Sequence, residues 1–341
     1  MENTRPIGIG VIGCGKITAT RHVPEYAKNS DCRLVGYFDF VKERAEALAA
    51  EYGGTVFSSV EELLACDEIG AVSVCTANAT HAEITIAALA HGKHVLCEKP
   101  MATTLEECRA MVSAATAADR RLMVAQNQRL APVHTRARAL IAEGAIGTPL
   151  SVKTCFGHSG PDNWSVDPGT GNWFFDRAKS AFGAMADLGV HKIDLVRYLL
   201  DDDMQSVTAM LAVLDKKDSA GNPVSVEDHA AAIYRMARGA IVTMTASWTY
   251  YGEEDNDTAV YGTKGILKLA PADGRLTLIP SVGAATVYEG LTANTSGVID
   301  AFVSAVTSNT PSPIDAQGIL PSMHALLATI EAAEEGRTIT L

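Results

Sequence analysis

Short apolar runs alternate with stretches of helical period along the N-terminal part of the chain, and the alternation stops near Arg129. From Ile7 to Gln126 the apolar runs are IGIGVI, CRLVGYFD, TVFS, AVSVCT, HVLCE and RLMVAQ, each about the length of a buried strand. Between them lie segments such as KERAEALAAEY and HAEITIAALAH, the second stopped by Gly92. Strand–helix alternation at this spacing predicts an α/β domain built on a parallel, doubly wound sheet.

Beyond Arg129 the pattern changes. A helix (HTRARALIAEG) is followed by a long Gly/Pro/Trp-rich loop and a second helix (LGVHKIDLVRYLL). Then come SVTAMLAVL, DHAAAIYRM, AIVTMTASW, DTAVYG, GILKLA and RLTLIP, joined by Gly, Asp and Pro turns without intervening helices. That grammar predicts a large, open, mainly antiparallel sheet in an α+β domain. From about Ser296 to Gly336 the period returns to helical. The chain therefore divides into a domain over 1–128 and a second over 129–341. In SVTAMLAVL, Thr208, Met210 and Ala212 alternate with Val207, Ala209 and Leu211, so both faces of the strand are largely apolar. With few helices after Met204 to cover the second face, it is expected to pack on another copy of the chain, as a homodimer or homotetramer.

Composition narrows the class. The 341 residues are 47% hydrophobic and 20% charged, ample for two cores. A net charge of −12 repels nucleic acid and anionic membrane surfaces, and basic residues occur at most in pairs. The seven cysteines are scattered, often within apolar runs, without a Cys-x-x-Cys pair, as in a reduced chain. No apolar run approaches a membrane span and no export signal is legible, so a cytoplasmic protein is expected. His81, His91 and His94 cluster in sequence, but Gly92 interrupts them and no carboxylate completes a ligand spacing; no metal is expected.

Two stretches carry candidate chemistry. Gly13-Cys14-Gly15-Lys16-Ile17-Thr18 lies at the first strand-to-helix junction, where backbone amides and a helix start can hold a pyrophosphate. Thr18 occupies the third glycine position, which would stand the helix slightly farther from the sheet. The second strand ends at Asp39, 26 residues after Gly13, near the spacing of an acid that accepts a ribose 2′-hydroxyl and repels a 2′-phosphate. Phe40, not arginine, follows it. NAD is favoured over NADP as the cofactor. The alternative is a plain turn at Gly13 and Gly15 and a strand-end cap at Asp39. The other stretch is HVLCEKPMA: a buried-type strand delivers Glu98 and Lys99 to its tip, and Pro100 ends its pairing. The carboxyl ends of such strands are where open α/β sheets bind ligands.

With that fold in place, CEKP after the fifth strand and DLGVH on a later helix resemble the glucose–fructose oxidoreductase/inositol dehydrogenase (Gfo/Idh/MocA) family. The likeness spans nearly the whole chain, through CTANATH (Cys75–His81), EKP (Glu98–Pro100), Asp187-x-x-x-His191, the sheet domain and a terminal helix ending EEGR. It implies a Rossmann domain, an open-sheet second domain, and NAD(P)-linked oxidation or reduction of sugars and cyclic polyols. It puts Lys99, Asp187 and His191 on catalytic positions, Thr76, Asn78, His81 and Glu98 along the cofactor, and Arg129 beside the substrate. Ala77 stands where a proline is common, and AFGAM (Ala181–Met185) replaces a glycine-richer run before Asp187.

The implied reaction removes a hydroxyl proton while hydride leaves carbon for the nicotinamide. A histidine, with a pKa near 6.5, is a better base at neutral pH than a lysine near 10.4. His191 is therefore the expected base, Lys99 the cation that stabilises the developing alkoxide, and Asp187 the group that orients the imidazole from one helical turn away. Taken singly, Asp187 reads as a helix N-cap, His191 as a core residue beside Leu195 and Tyr198, and Lys99 as a solvated strand end. Their joint occurrence favours catalysis. In the loop Gly157–Arg177, Trp164 and Trp173 among Asp, Asn and Gly suit either a sugar's apolar face or a tuck into the domain. Other functions compatible with the same residues are an NAD-dependent glycosidase working by transient ring oxidation, a ketosugar reductase, and a non-catalytic dinucleotide-binding sensor or corepressor.

Overall fold

Six strands, β1 (Ile7–Ile12), β2 (Cys32–Phe38), β3 (Thr55–Val56), β4 (Ala71–Val74), β5 (His94–Cys97) and β6 (Leu122–Val124), form one parallel sheet in the order β3-β2-β1-β4-β5-β6. The computed structural model describes residues 6–341. Ile9, Val11, Val72, Val74, Val95 and Leu96 are fully buried. Such strands are covered on both faces, which is why they read as apolar runs without alternation. The strand order reverses between β1 and β4, which makes this the switch point at which doubly wound sheets take ligands. Helices run over Lys42–Tyr52 and His81–Ala90, as their periods predict, and Gly92 adopts a φ of +70° just after the second.

The chain falls into two compact units whose boundary is not a single cut. The first runs to Gln126 and also includes Thr295–Leu320; the second comprises Asn127–Asn294 and Pro321–Leu341. The helix Val298–Thr307, buried through Val298, Ile299, Phe302 and Val303, thus belongs to the first unit. Within that unit Ser296 binds Glu25 through both its N–H and its hydroxyl, and Val124 N–H donates to Ile314. The division falls inside the helix Ala316–Glu335, at Pro321. Apolar period alone does not say which core a terminal helix joins, so a boundary placed at residue 128 misses this return.

The second unit is built on nine strands: β7 (Pro149–Gly157), β8 (Met204–Ala212), β9 (His229–Met236), β10 (Ile241–Ser247), β11 (Thr258–Gly262), β12 (Gly265–Ala270), β13 (Arg275–Pro280), β14 (Thr286–Tyr288) and β15 (Ile339–Thr340). They lie in the order β14-β13-β12-β11-β7-β10-β9-β8-β15, and only the β7–β10 pair is parallel. β7, absent from the pattern-based reading, is central. Its Lys153, Ser151 and Thr154 mask it in the sequence, while Val152 and Thr154 are buried in the structure. One face packs against helices: Val207 and Ala209 are buried, and Tyr234 reaches Thr329 on the helix Ala316–Glu335 at 2.9 Å. The other exposes Met210 (79%) and Ile233 (55%) on neighbouring strands. Among the described residues no helix is long and apolar enough to cross a membrane.

Candidate active site

In the first unit the glycine loop is shaped for a group that approaches its backbone. Gly13 has a φ of +93°, and a Cβ there would lie 2.5 Å from the Cys75 carbonyl, so glycine is required on both counts. Nothing lies within 4 Å of a Cβ built on Gly15, which leaves that backbone open. Thr18 is fully buried and its hydroxyl donates to the Gly13 carbonyl at 2.7 Å. The residue that departs from the glycine pattern therefore closes the loop on itself, and a π-helical turn over Thr18–His22 follows. Lys16 is exposed and Ile17 half-buried at the loop's rim.

Asp39, just beyond β2, touches this loop directly. Its Oδ2 accepts the Cys14 N–H at 2.6 Å, its Oδ1 accepts the Val41 N–H at 2.7 Å, and the Arg44 guanidinium stands 3.8 Å away. A loop with an open glycine backbone and a carboxylate fixed beside it fits the pyrophosphate and ribose of NAD. Across the switch point, Thr76 accepts from Thr80 through its hydroxyl at 2.8 Å, and Asn78 is buried at the start of the next helical turn. Ala77 has φ −68°, the angle proline would impose, so the loop keeps that geometry without the ring.

β5 ends as its sequence requires. Glu98 N–H still pairs with Val74 of β4, Lys99 is half-buried, and the Lys99–Pro100 bond is cis. Glu98 and His81, expected along the cofactor, direct their polar atoms to the protein. Glu98 Oε1 lies 2.9 Å from His22 Nε2, and its Oε2 accepts the Lys99 N–H at 3.1 Å. Both ring nitrogens of His81 face backbone carbonyls, Pro100 at 2.8 Å and Thr76 at 3.1 Å. His22 carried no sequence signal; its role comes from a residue 76 positions away.

In the second unit Asp187 sits in a π-helical turn, Met185–Gly189, that runs straight into the helix Val190–Leu200 bearing His191. Such turns interrupt α-helical spacing and recur at functional sites. The turn is held from outside. Glu227 Oε1 accepts the Gly183 and Met185 N–H groups at 2.9 and 3.1 Å. A Cβ on Gly183 would sit 1.8 Å from the Glu227 carbonyl, so the single glycine of AFGAM is the one that the packing demands. Burial raises the Glu227 carboxyl's pKa, against the lowering effect of those N–H donors.

Asp187 Oδ2 accepts the indole N–H of the fully buried Trp248 at 3.0 Å. Around Asp187 and His191 the aromatic rings follow one another: His191 to Phe156 at 5.9 Å, Phe156 to His158 at 6.0 Å, His158 to Trp164 at 6.0 Å, Trp164 to Phe174 at 5.2 Å and Phe174 to Trp248 at 6.4 Å. Trp173 stacks on Phe174 at 3.9 Å. The indole N–H of Trp164 is buried with no acceptor among the described residues. The Gly157–Arg177 loop thus brings both tryptophans into the aromatic ring system that includes His191.

Arg129 is committed elsewhere in the same unit: its guanidinium grips Asp194 with contacts of 2.7 and 2.6 Å, and Asp194 also accepts from Ser322. Lys192, next to His191, is fully buried and donates to the Asn256 carbonyl at 2.8 Å; burial pulls its pKa down to about 7. Trp248 was within reach of the pattern: Val242, Met244 and Ala246 alternate inward along β10, and Trp248 continues their parity. Nothing in the sequence marks Glu227 as a neighbour of the site.

Residues 7–126 match the model of the oxidoreductase family with an NAD-binding Rossmann fold, and residues 134–268 match the Gfo/Idh/MocA C-terminal domain. A curated relative, 1,5-anhydro-D-fructose reductase of Ensifer adhaerens, is 32% identical, with 96% of each chain covered. An inositol 2-dehydrogenase of Rhizobium meliloti is 31% identical over 76% of this chain and 74% of that one. Among solved structures, GenD2 from gentamicin A biosynthesis, in complex with NAD, superposes with a TM-score of 0.86 at 27% identity, covering 100% of this chain and 98% of that one. The chain belongs to the Gfo/Idh/MocA family. It is an oxidoreductase with an NAD-binding Rossmann domain.

Proposed function

We propose that this oxidoreductase moves hydride between NAD and a secondary hydroxyl of a neutral, ring-shaped sugar or cyclic polyol. The observation that carries the reading is the run of rings, Phe156, His158, Trp164 and Phe174, beside Asp187 and His191. A pyranose or inositol ring offers axial C–H faces for stacking and hydroxyls for the polar groups among them. The buried Trp164 N–H is a donor suited to a substrate oxygen. Relatives named for anhydrofructose, inositol, levoglucosan and glucoside agree with this class.

NAD, when bound, supplies the hydride acceptor. Gly13, Gly15, Lys16 and Ile17 would face its pyrophosphate, Asp39 its adenosine ribose, and Thr76 and Asn78 its nicotinamide half. His191 takes the hydroxyl proton, Lys99 stabilises the negative charge that develops on oxygen, and Asp187, fixed by Trp248, orients the imidazole. The same groups serve the reverse direction, and the relative aligned over 96% of the chain is named a reductase, which favours ketosugar reduction as the second reading.

The protein acts in the cytoplasm in this reading, in keeping with seven free cysteines, five of them buried. It assembles as a homodimer or homotetramer through the sheet face that bears Met210 and Ile233. The test is a panel of inositols, aldoses, anhydrosugars and glycosides with NAD or NADP, plus 1,5-anhydro-D-fructose with NADH, followed at the reduced-nicotinamide absorbance. Turnover of ring sugars or polyols is expected. Turnover confined to phosphorylated or carboxylated sugars would contradict a site whose wall is mainly aromatic rings.

A further inference from the structure

Lys99 stands between two residues that are each held by a buried histidine. On its N-terminal side is Glu98, whose Oε1 meets His22 Nε2 at 2.9 Å while its Oε2 accepts the Lys99 N–H at 3.1 Å. His22 is itself fixed: its Nδ1 lies 3.2 Å from Ser73 Oγ and 3.6 Å from Cys75 Sγ, and Ser73 is 2.8 Å from the Tyr26 hydroxyl. On the C-terminal side the Pro100 carbonyl faces His81 Nδ1 at 2.8 Å, and the other nitrogen of that ring faces the Thr76 carbonyl at 3.1 Å. Ser73 lies on β4 and Thr76 in the loop that follows it. Both histidines therefore refer the lysine's turn to the neighbouring strand.

A lysine's flexible stem makes only its backbone easy to fix through contacts of this kind. Compared with a well-packed apolar pair, a buried ion pair such as His22–Glu98 adds little stability, because desolvation of both charges offsets their attraction, although removing one partner alone is costly. What it contributes is one defined place for the carboxylate. The shell of buried partners then sets where the Lys99 backbone starts.

We propose that His22 and His81 are positioning residues for Lys99, tying the two ends of the Glu98–Pro100 turn to β4 and its following loop so that the ammonium is presented in one orientation. The proposal rests on the reading of Lys99 as a catalytic cation. It goes beyond that reading by naming two residues whose ring nitrogens face the protein's own groups and which act through the turn.

A double-mutant cycle tests it, with the best-turned-over sugar of the panel above and NAD titrated separately by quenching of protein fluorescence. His22→Leu and His81→Leu should each lower kcat by roughly 10- to 100-fold in the wild-type background, with NAD affinity changed by less than about threefold. In a Lys99→Met background the same substitutions should lower kcat by less than about twofold, because the group they act through is gone. His22→Gln, whose amide can still donate to Glu98, should recover most of the loss. Should His22→Leu fail to fold, His81→Leu and Glu98→Gln carry the cycle from the two sides of the turn. Equal losses in both backgrounds, or a loss of NAD affinity matching that of kcat, would overturn the proposal. Wild-type turnover in Lys99→Met would instead overturn the reading of Lys99 itself.

Discussion

The indole nitrogen of Trp248 lies 3.0 Å from Asp187 Oδ2, and both residues are buried. The carboxylate beside the proposed base is thus held by a neutral donor that fixes its direction without cancelling its charge. A hydrogen bond to a charged group is worth about 1.5–3 kcal/mol. Trp248→Phe keeps a ring and removes that donor. It should lower kcat by roughly 10- to 100-fold with NAD affinity unchanged. Steady-state kinetics alongside a cofactor titration check this, and an unaltered kcat would remove Trp248 from the account.

Cofactor choice rests on Asp39. Its carboxylate is pinned to the glycine loop through Cys14, and in the proposed reading it is the group that faces the adenosine ribose. Replacing Asp39 by Ser and Phe40 by Arg removes a repelling charge and adds a phosphate ligand. The ratio of kcat/KM for NADP over NAD should rise by at least about tenfold. Because the Cys14 N–H loses its acceptor, Tm should fall as well. A wild-type enzyme that already prefers NADP would show that Asp39 does not face the ribose.

The His22–Glu98 pair predicts a pH dependence of stability. Burial opposes the charge on His22, but Cys75 and Glu98 outweigh it and raise its pKa from 6.5 to about 10. Burial likewise opposes ionisation of Glu98, and His22 outweighs it, lowering that pKa from 4.5 to about 2. A raised histidine stabilises fully below its unfolded value and loses that contribution as pH rises toward 10. The lowered carboxylate stabilises above its unfolded value and loses that contribution as pH falls toward 2. The Tm difference between wild type and His22→Leu should therefore be largest between about pH 4.5 and 6.5 and shrink steadily toward about pH 10. A difference that grows across that upper range would contradict the charged pair.

The exposed sheet face makes a prediction about assembly. Met210 on β8 and Ile233 on β9 point to the side that the second unit's helices leave open. In light scattering at micromolar concentration the wild type should have the mass of a dimer or tetramer. Met210→Asp with Ile233→Asp should give the monomer. A monomeric wild type would end the proposal.

Much of this was legible in the sequence because burial is total. Strands covered on both faces, such as β1, must be apolar nearly throughout, and Gly13, Asp39 and Lys99 lie just past the ends of such strands, where the topology concentrates ligands. What was not legible depends on partners far away in sequence. β7 is disguised by Lys153 and by threonines that find buried partners, Thr154 with Thr258 at 2.7 Å. The helix Val298–Thr307 joins the first core through contacts that periodicity cannot assign. Arg129 looks like a free substrate ligand until Asp194 is seen in its fork. Trp248, Glu227 and His22 make their contacts around the proposed site with residues 61, 44 and 76 positions away in sequence.

The central claim, that His191 is the base, is tested most directly by the pH dependence of kcat/KM for oxidation in wild type and His191→Asn. In the wild type the rate should rise with pH as an imidazole loses its proton. In His191→Asn turnover should fall by roughly 10²- to 10⁴-fold and that limb should vanish, while NAD affinity is retained. If His191→Asn keeps near-normal turnover and the same limb, the proton is taken by another group, and Lys99 becomes the first to examine.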